Sequence, residues 1–205
     1  MEFNEMISKL ENPTILDLSN GDAYIIGGTL DKIPSKSLFF FEASTGLIYK
    51  RKDLDFEIFN FSIVKFDSFL YIIGGRLSTG AYFKQIYRYD IYNDVWESIP
   101  DVEGLSRVNA KSIVYDNKIY IFGGVDGILE NSELVKVFDP LNLEWVNLSE
   151  DIIIPFSNTY KLTVSISDSD IIMYSEDQIF NKVIKKVYNY TPHNNSWKIY
   201  RNVIL

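Results

Sequence analysis

Apolar positions in this chain come in short runs of four or five, cut by turn-forming residues, and the runs recur in one order. The clearest unit has Ser112 to Tyr115 and Lys118 to Phe122 flanking the turn Asp116-Asn117, with the second run ending in Gly123-Gly124. Leu134 to Phe138 is a third run, Asp139-Pro140-Leu141-Asn142 a turn, and Glu144 to Asn147, carrying Trp145, a fourth. Short runs rich in β-branched and aromatic residues, bounded by Asp, Asn, Gly and Pro, read as strands. Four of them in sequence predict one small antiparallel sheet. Its two apolar faces require neighbours of the same kind.

The same order repeats. In the first copy Ile15 to Leu18, Ala23 to Ile26 with Gly27-Gly28, Ser37 to Phe41 and Leu47 to Lys50 are the strands. In the second they are Ser62 to Phe66, Leu70 to Ile73 with Gly74-Gly75, Gln85 to Tyr89 and Val95 to Ser98. The fourth copy has Leu162 to Ile166, Ile171 to Tyr174, Lys185 to Tyr190 and Trp197, with Ser175-Glu176 where the glycines would fall. Gly75 to Trp96 and Gly124 to Trp145 are both 21 residues, so all three tryptophans share one repeat position, which Ile48 takes in the first copy. A period of about 50 residues belongs to blade-like arrays. The expected organisation is a tail or short amphipathic helix over 1–12, then a repeat domain over 13–205 with units at about 13–55, 60–102, 110–150 and 160–205.

Composition narrows the chemistry. With 46% hydrophobic and 23% charged residues, the 205-residue chain falls in the ordinary globular range. A net charge of −8 argues against a general nucleic-acid binder, which needs a cationic surface to displace counterions. The absence of cysteine excludes a disulfide scaffold, thiolate-bound zinc and a thiol nucleophile, and fits a reducing compartment. No apolar h-region opens the chain and no run approaches a membrane span, so the expectation is a cytoplasmic protein with no membrane or nucleic-acid partner.

A glycine pair closing a strand lets the backbone turn without a Cβ. The rival reading, a phosphate cradle, needs a G-x-G-x-x-G spacing opening a helix, and neither is present. The units resemble kelch repeats: IYIFGG (Ile119 to Gly124), VFDP (Val137 to Pro140) and Trp145, and again LYIIGG (Leu70 to Gly75), YRYD (Tyr87 to Asp90) and Trp96. The resemblance implies an all-β, kelch-type β-propeller with four four-stranded antiparallel blades. Kelch propellers usually have five to seven blades, so four leave two closures open: a small ring, or an incomplete propeller whose end blades expose apolar faces and self-associate.

The resemblance also implies a non-enzymatic protein-interaction module. Its partner would meet the face where the loops after each glycine strand and the connectors between blades emerge. The candidate partner-binding residues there are Arg76, Tyr82, Arg107, Asn109, Asp126 and Glu130, with Asp31, Lys32 and Lys84 beside them. Arg and Tyr combine broad contact with directional hydrogen bonds. Many kelch proteins recruit substrates to ubiquitin ligases, and a substrate-recognition or competitor role is the first expectation. A kelch-type enzyme or sugar-binding protein and a cytoskeleton-binding protein are the alternatives. The Ile, Asn, Lys and Tyr bias suggests an AT-rich genome, compatible with viral and protozoan kelch-like proteins and with a host–virus role. The single histidine, His193, falls in a turn, and Asp90/Asp94 and Asp168/Asp170 fall where Asp serves the backbone. No catalytic residue, metal site or cofactor is therefore expected.

Overall fold

The turns between strands use backbone geometry that few residues adopt cheaply. Asp116 and Asn117 both take positive φ, 46° and 56°, which is the twist-matched geometry of a two-residue hairpin. A computed structural model describes residues 9–103, 105–125, 134–148, 151–155, 162–167, 169–179 and 182–204. In it most strands form four four-stranded antiparallel sheets, each pairing its strands in chain order. Blade 1 holds Thr14–Asp17, Ala23–Ile26, Leu38–Glu42 and Leu47–Arg51. Blade 2 holds Ser62–Phe66, Phe69–Ile73, Gln85–Asp90 and Val95–Glu103. Blade 3 holds Lys111–Tyr115, Lys118–Phe122, Lys136–Asp139 and Glu144–Trp145, and blade 4 Leu162–Ser167, Asp170–Ile179, Lys182–Thr191 and Ser196–Ile204. Among the described residues there is no α-helix.

Register confirms the repeat. Trp96, Trp145 and Trp197 sit opposite Tyr89, Phe138 and Tyr190, and Ile48 sits opposite Phe41. Each tryptophan packs on that neighbour, with ring centroids 5.0, 5.3 and 4.6 Å apart. Alternation along the strands sends successive side chains to opposite faces, and buried apolar residues collect between blades. Tyr24, Ile26 and Leu38 of blade 1 meet Ile63, Leu70 and Tyr89 of blade 2. Tyr71 and Ile73 meet Ile119, Ile121 and Phe138 across the next joint, and Phe122 and Val137 meet Ile171, Met173 and Tyr190 across the third. The first strands line the axis, where Ser112 Oγ donates to Ser62 Oγ at 2.6 Å. Four blades with three packed joints make an arc, an incomplete β-propeller.

Three features depart from the expected elements. Leu10–Glu11, inside the segment expected as tail or short helix, is a strand paired with Thr29–Leu30, while residues 1–8 lie outside the described residues. Ile58–Phe59, inside the connector between blades 1 and 2, pairs with Arg76–Leu77. In blade 4 the second and third strands run on as a hairpin to the pair Ile179↔Lys182, since Ser175-Glu176 lacks the glycine conformations that stop the equivalent strands.

Those glycines are seated against backbone. Gly75 has φ +103°, and a Cβ there would lie 2.9 Å from Phe59 O and 2.8 Å from Phe61 Cβ. Gly124 has φ +87°, with Val108 O at 2.8 Å, and Gly28 φ +83°, with Glu11 O at 2.7 Å. In each case the chain opposite turns at a left-handed asparagine, Asn60, Asn109 or Asn12. The first glycine of the pair faces the next blade: a Cβ on Gly74 would lie 2.3 Å from Arg107 O, which also accepts a hydrogen bond from Gly75 N at 2.7 Å. Gly124→Ala and Gly75→Ala should each lower stability by about 2–4 kcal/mol, combining φ strain with displaced backbone. Gly46→Ala, at φ +70° with nothing within 4 Å, should cost only about 1 kcal/mol. Urea midpoints of the three variants measure this order.

Asp139 organises the turn that ends the third strand of blade 3. Its carboxylate accepts from Lys118 Nζ at 2.5 Å, from Leu141 N and Asn142 N at 2.9 and 3.2 Å, and from Asn142 Nδ2 at 2.9 Å. The Lys118 hydrogen bond, aided by the turn amides and opposed by burial, holds this carboxyl at about 2. A depressed value means the folded state favours the carboxylate. Its stabilisation is full above the ordinary carboxyl range and is lost as pH falls through about 2. Denaturant midpoints of the native protein should therefore decline between about pH 4 and pH 2. Asp139→Asn should show a shallower decline over that window.

Candidate functional site

The four described candidates gather around the glycine end of blade 2. Arg76–Leu77 leaves Gly75 as a short strand, the chain turns with Gly80 N donating to Leu77 O at 2.8 Å, and Tyr82 returns to bridge Arg76. Arg76 is exposed. Its Nε donates to Gly80 O at 2.7 Å, and its guanidinium lies 5.2 Å from the Tyr82 ring centre. No hydrogen bond among the described residues takes its two terminal nitrogens. Backbone and ring together fix the orientation of a cation that still faces solvent.

Beneath this hairpin lies an aromatic column. Phe83 is buried and packs on Phe56 at 4.8 Å, Phe56 on Tyr87 at 5.1 Å, and Tyr87 stacks on Trp96 at 5.5 Å and 4°. Trp96 Nε1 donates to Lys52 O at 2.9 Å, and the Tyr87 hydroxyl donates to the Asp55 carboxylate. Burial, with that acidic partner, pushes the Tyr87 hydroxyl far above the ordinary tyrosine value, so it stays protonated. The connector of blades 1 and 2 is thus pinned to blade 2. Glu57 on that connector accepts from Ser78 Oγ at 3.1 Å and pairs with Lys36 at 3.5 Å. Its backbone N–H, ahead of Ser78 and Lys36, holds its carboxyl below the usual range.

Arg107 stands elsewhere than expected. It is only 6% exposed, and its Nη1 donates to Leu134 O at 2.7 Å, so its side chain belongs to the packing between connector and blade 3 and not to the open loop surface. Its carbonyl is the one seated on the Gly74-Gly75 pair. Asn109 is half-buried at φ 59°, and its N–H donates to Asn60 O at 2.8 Å, so its position is set by the repeat joint. Asp126 and Glu130 lie outside the described residues. Asp31 and Lys32 form the two-residue tip of the matching hairpin on blade 1, with φ 51° and 64°. The part sequence reasoning missed is the contribution of Glu57 to Phe59. The alternation of Leu54, Phe56 and Ile58, all buried or half-buried, is the period-two signal that marks that connector as structured.

A large concavity opens at the other end of the axis. This cavity of about 980 Å³ is lined by Leu16, Ile63, Ile113, Val164 and Ile166 of the four first strands, beside the turn Ser19-Asn20 of blade 1. Among the described residues no cluster of three His, Asp or Glu side chains could hold a metal ion. The turn carboxylates are engaged within the blades: Asp90 accepts from Tyr92 N and Asn93 N of its own turn, each at 2.9 Å, and Asp170 from Asn189 Nδ2 and Thr191 Oγ1 of the adjacent strand, each at 2.7 Å.

Residues 14–202 match the model of the KLHDC2/KLHL20/DRC7 Kelch-repeats domain. An F-box/kelch-repeat protein of Arabidopsis thaliana is 26% identical over 137 residues, covering 67% of this chain and 32% of the relative. Kelch-like protein 15 of mouse and of human are each 26% identical over 133 residues, covering 62% of this chain and 22% of the relative. The chain therefore spans less than a third of the length of these curated relatives.

The two arginines should separate in stability. Arg107→Ala should cost about 1.5–3 kcal/mol by removing a buried charge-assisted donor from Leu134 O. Arg76→Ala, at the surface, should stay within about 0.5 kcal/mol of the native protein. Thermal and urea unfolding of both variants test this.

Proposed function

The chain belongs to the KLHDC2/KLHL20/DRC7 kelch-repeat family, and on that premise we propose that it is a protein-binding module whose partner sits on the glycine end of the blades, centred on Arg76 and Tyr82. The observation that carries this reading is the fixed guanidinium of Arg76. Held by Gly80 O and the Tyr82 ring, it offers its terminal donors to solvent with little rotamer freedom left to lose on binding. An exposed Arg beside Tyr on a rigid scaffold has the composition and preorganisation of a binding hot spot. Lys84 and the Asp31-Lys32 tip extend the surface on the same end.

The specific role we propose is substrate recognition or competition in a ubiquitin-ligase pathway, in keeping with the F-box named in the Arabidopsis relative, with action in the cytoplasm, in keeping with a cysteine-free chain. A role at a host–virus interface belongs to the same reading. Affinity purification from the native host cell, comparing the native protein with Arg76→Ala/Tyr82→Ala, tests it. A partner recovered by the native protein should fall about tenfold or more in the double variant, as loss of more than about 1.4 kcal/mol implies. Unchanged recovery would refute the choice of face, and partners without any ubiquitin-ligase component would remove the pathway assignment.

A further inference from the structure

A serine hydroxyl stands beside both an acid and a base on the face of the Arg76 hairpin. Leu77 pairs with Ile58, and Ser78 continues that register, its N–H donating to Glu57 O at 3.2 Å. Residues opposite each other on paired strands, and residues two apart along one strand, share a face. Glu57, Ser78 and Arg76 therefore lie on one side of this small sheet, together with Tyr82, whose ring meets the Arg76 guanidinium. Ser78 is exposed, and its Oγ donates to Glu57 Oε2 at 3.1 Å. Glu57 also pairs with Lys36 at 3.5 Å, so the hydroxyl joins the hairpin of blade 2 to an ion pair with blade 1. The matching hairpin of blade 1 has Asp31-Lys32 at its tip and no hydroxyl there.

We propose that Ser78 is a phosphorylation site that switches the Arg76 surface off. A protein kinase would transfer the γ-phosphoryl group of a nucleoside triphosphate to Ser78 Oγ. The Oγ–P bond forms, the bond from that phosphorus to the nucleoside diphosphate oxygen breaks, and the hydroxyl proton passes to a base of the kinase. The product carries about −2 charge and three acceptor oxygens where a donor stood. It no longer donates to Glu57, and it repels that carboxylate. Arg76, two residues back on the same face, is the cation it meets, with two terminal nitrogens that no hydrogen bond among the described residues takes. Pairing with the phosphoryl oxygens draws the guanidinium from the Tyr82 ring and neutralises it. A partner then loses the preorganised donors it would bind. The switch rests on the partner reading of Arg76; the arginine–phosphate pairing does not.

The full chain, produced with a phosphoryl group on Ser78, provides the test. In phosphorus NMR titrations the second pKa of that phosphate should lie about half a unit lower with Arg76 present than in Arg76→Ala, because the cation favours the dianion. Equal values would overturn the pairing. Partner recovery from the native host cell should fall about tenfold relative to the unmodified chain. Full recovery of a partner that Arg76→Ala/Tyr82→Ala loses would overturn the switch and leave the choice of face standing. A partner indifferent to that double variant as well would refute the face, and the switch with it. Mass spectrometry of the chain isolated from that cell should place phosphate on Ser78 in the tryptic peptide Leu77 to Lys84. An unmodified peptide, or phosphate confined to Thr79 or Tyr82, would overturn the assignment.

Discussion

The close seating of each glycine pair on neighbouring backbone is the constraint on which the array depends. At Gly74-Gly75 the first glycine meets the carbonyl of Arg107, on the connector entering blade 3, and the second meets Phe59 and Phe61, on the chain entering its own blade. No side chain fits either gap. One dipeptide therefore fixes how a blade begins and how the next one is placed, and the left-handed asparagines supply the matching reversal of the chain. Blade 4 lacks the pair, and its strands two and three continue as a long hairpin in place of a punctuated loop.

With the glycine end fixed, aromatic packing fills each joint. Tryptophans opposite Tyr89, Phe138 and Tyr190 give each of blades 2 to 4 a broad apolar surface toward its predecessor. Trp96 adds a directional bond to Lys52 O, tying its blade to the preceding connector. This rigid base lets a small exposed hairpin hold Arg76 in one orientation, because Phe83 beneath it is buried against Phe56 and Tyr87. Binding surface and packing thus share one segment, residues 76–87, with polar positions outward and aromatic positions inward.

The chain's candidate surfaces lie at different places on this frame. The glycine end carries the exposed cation and the hairpin tips; the turn end carries the large cavity; the terminal faces carry apolar residues at blade-packing positions. The glycine end combines a preorganised, exposed guanidinium with the half-buried ring of Tyr82, which is why the protein-binding proposal rests there.

By itself the sequence determined the strands, their turns and their common register, because those depend on local rules: two-residue side-chain alternation, the φ tolerance of Asp, Asn and Gly, and the fixed distance from glycine pair to tryptophan. Ala23–Ile26, Ser62–Phe66 and Lys118–Phe122 were legible to the residue for that reason. Arg76 and Tyr82 were legible as loop residues beyond the glycines. Tertiary structure alone decided that Arg107, one connector away and of the same residue type as Arg76, is buried against Leu134 O, that Leu54 to Phe59 is a structured part of the site, and that four blades form an arc. Each of these turns on contacts between segments far apart in the chain, where burial depends on what packs above a residue and not on its neighbours in sequence.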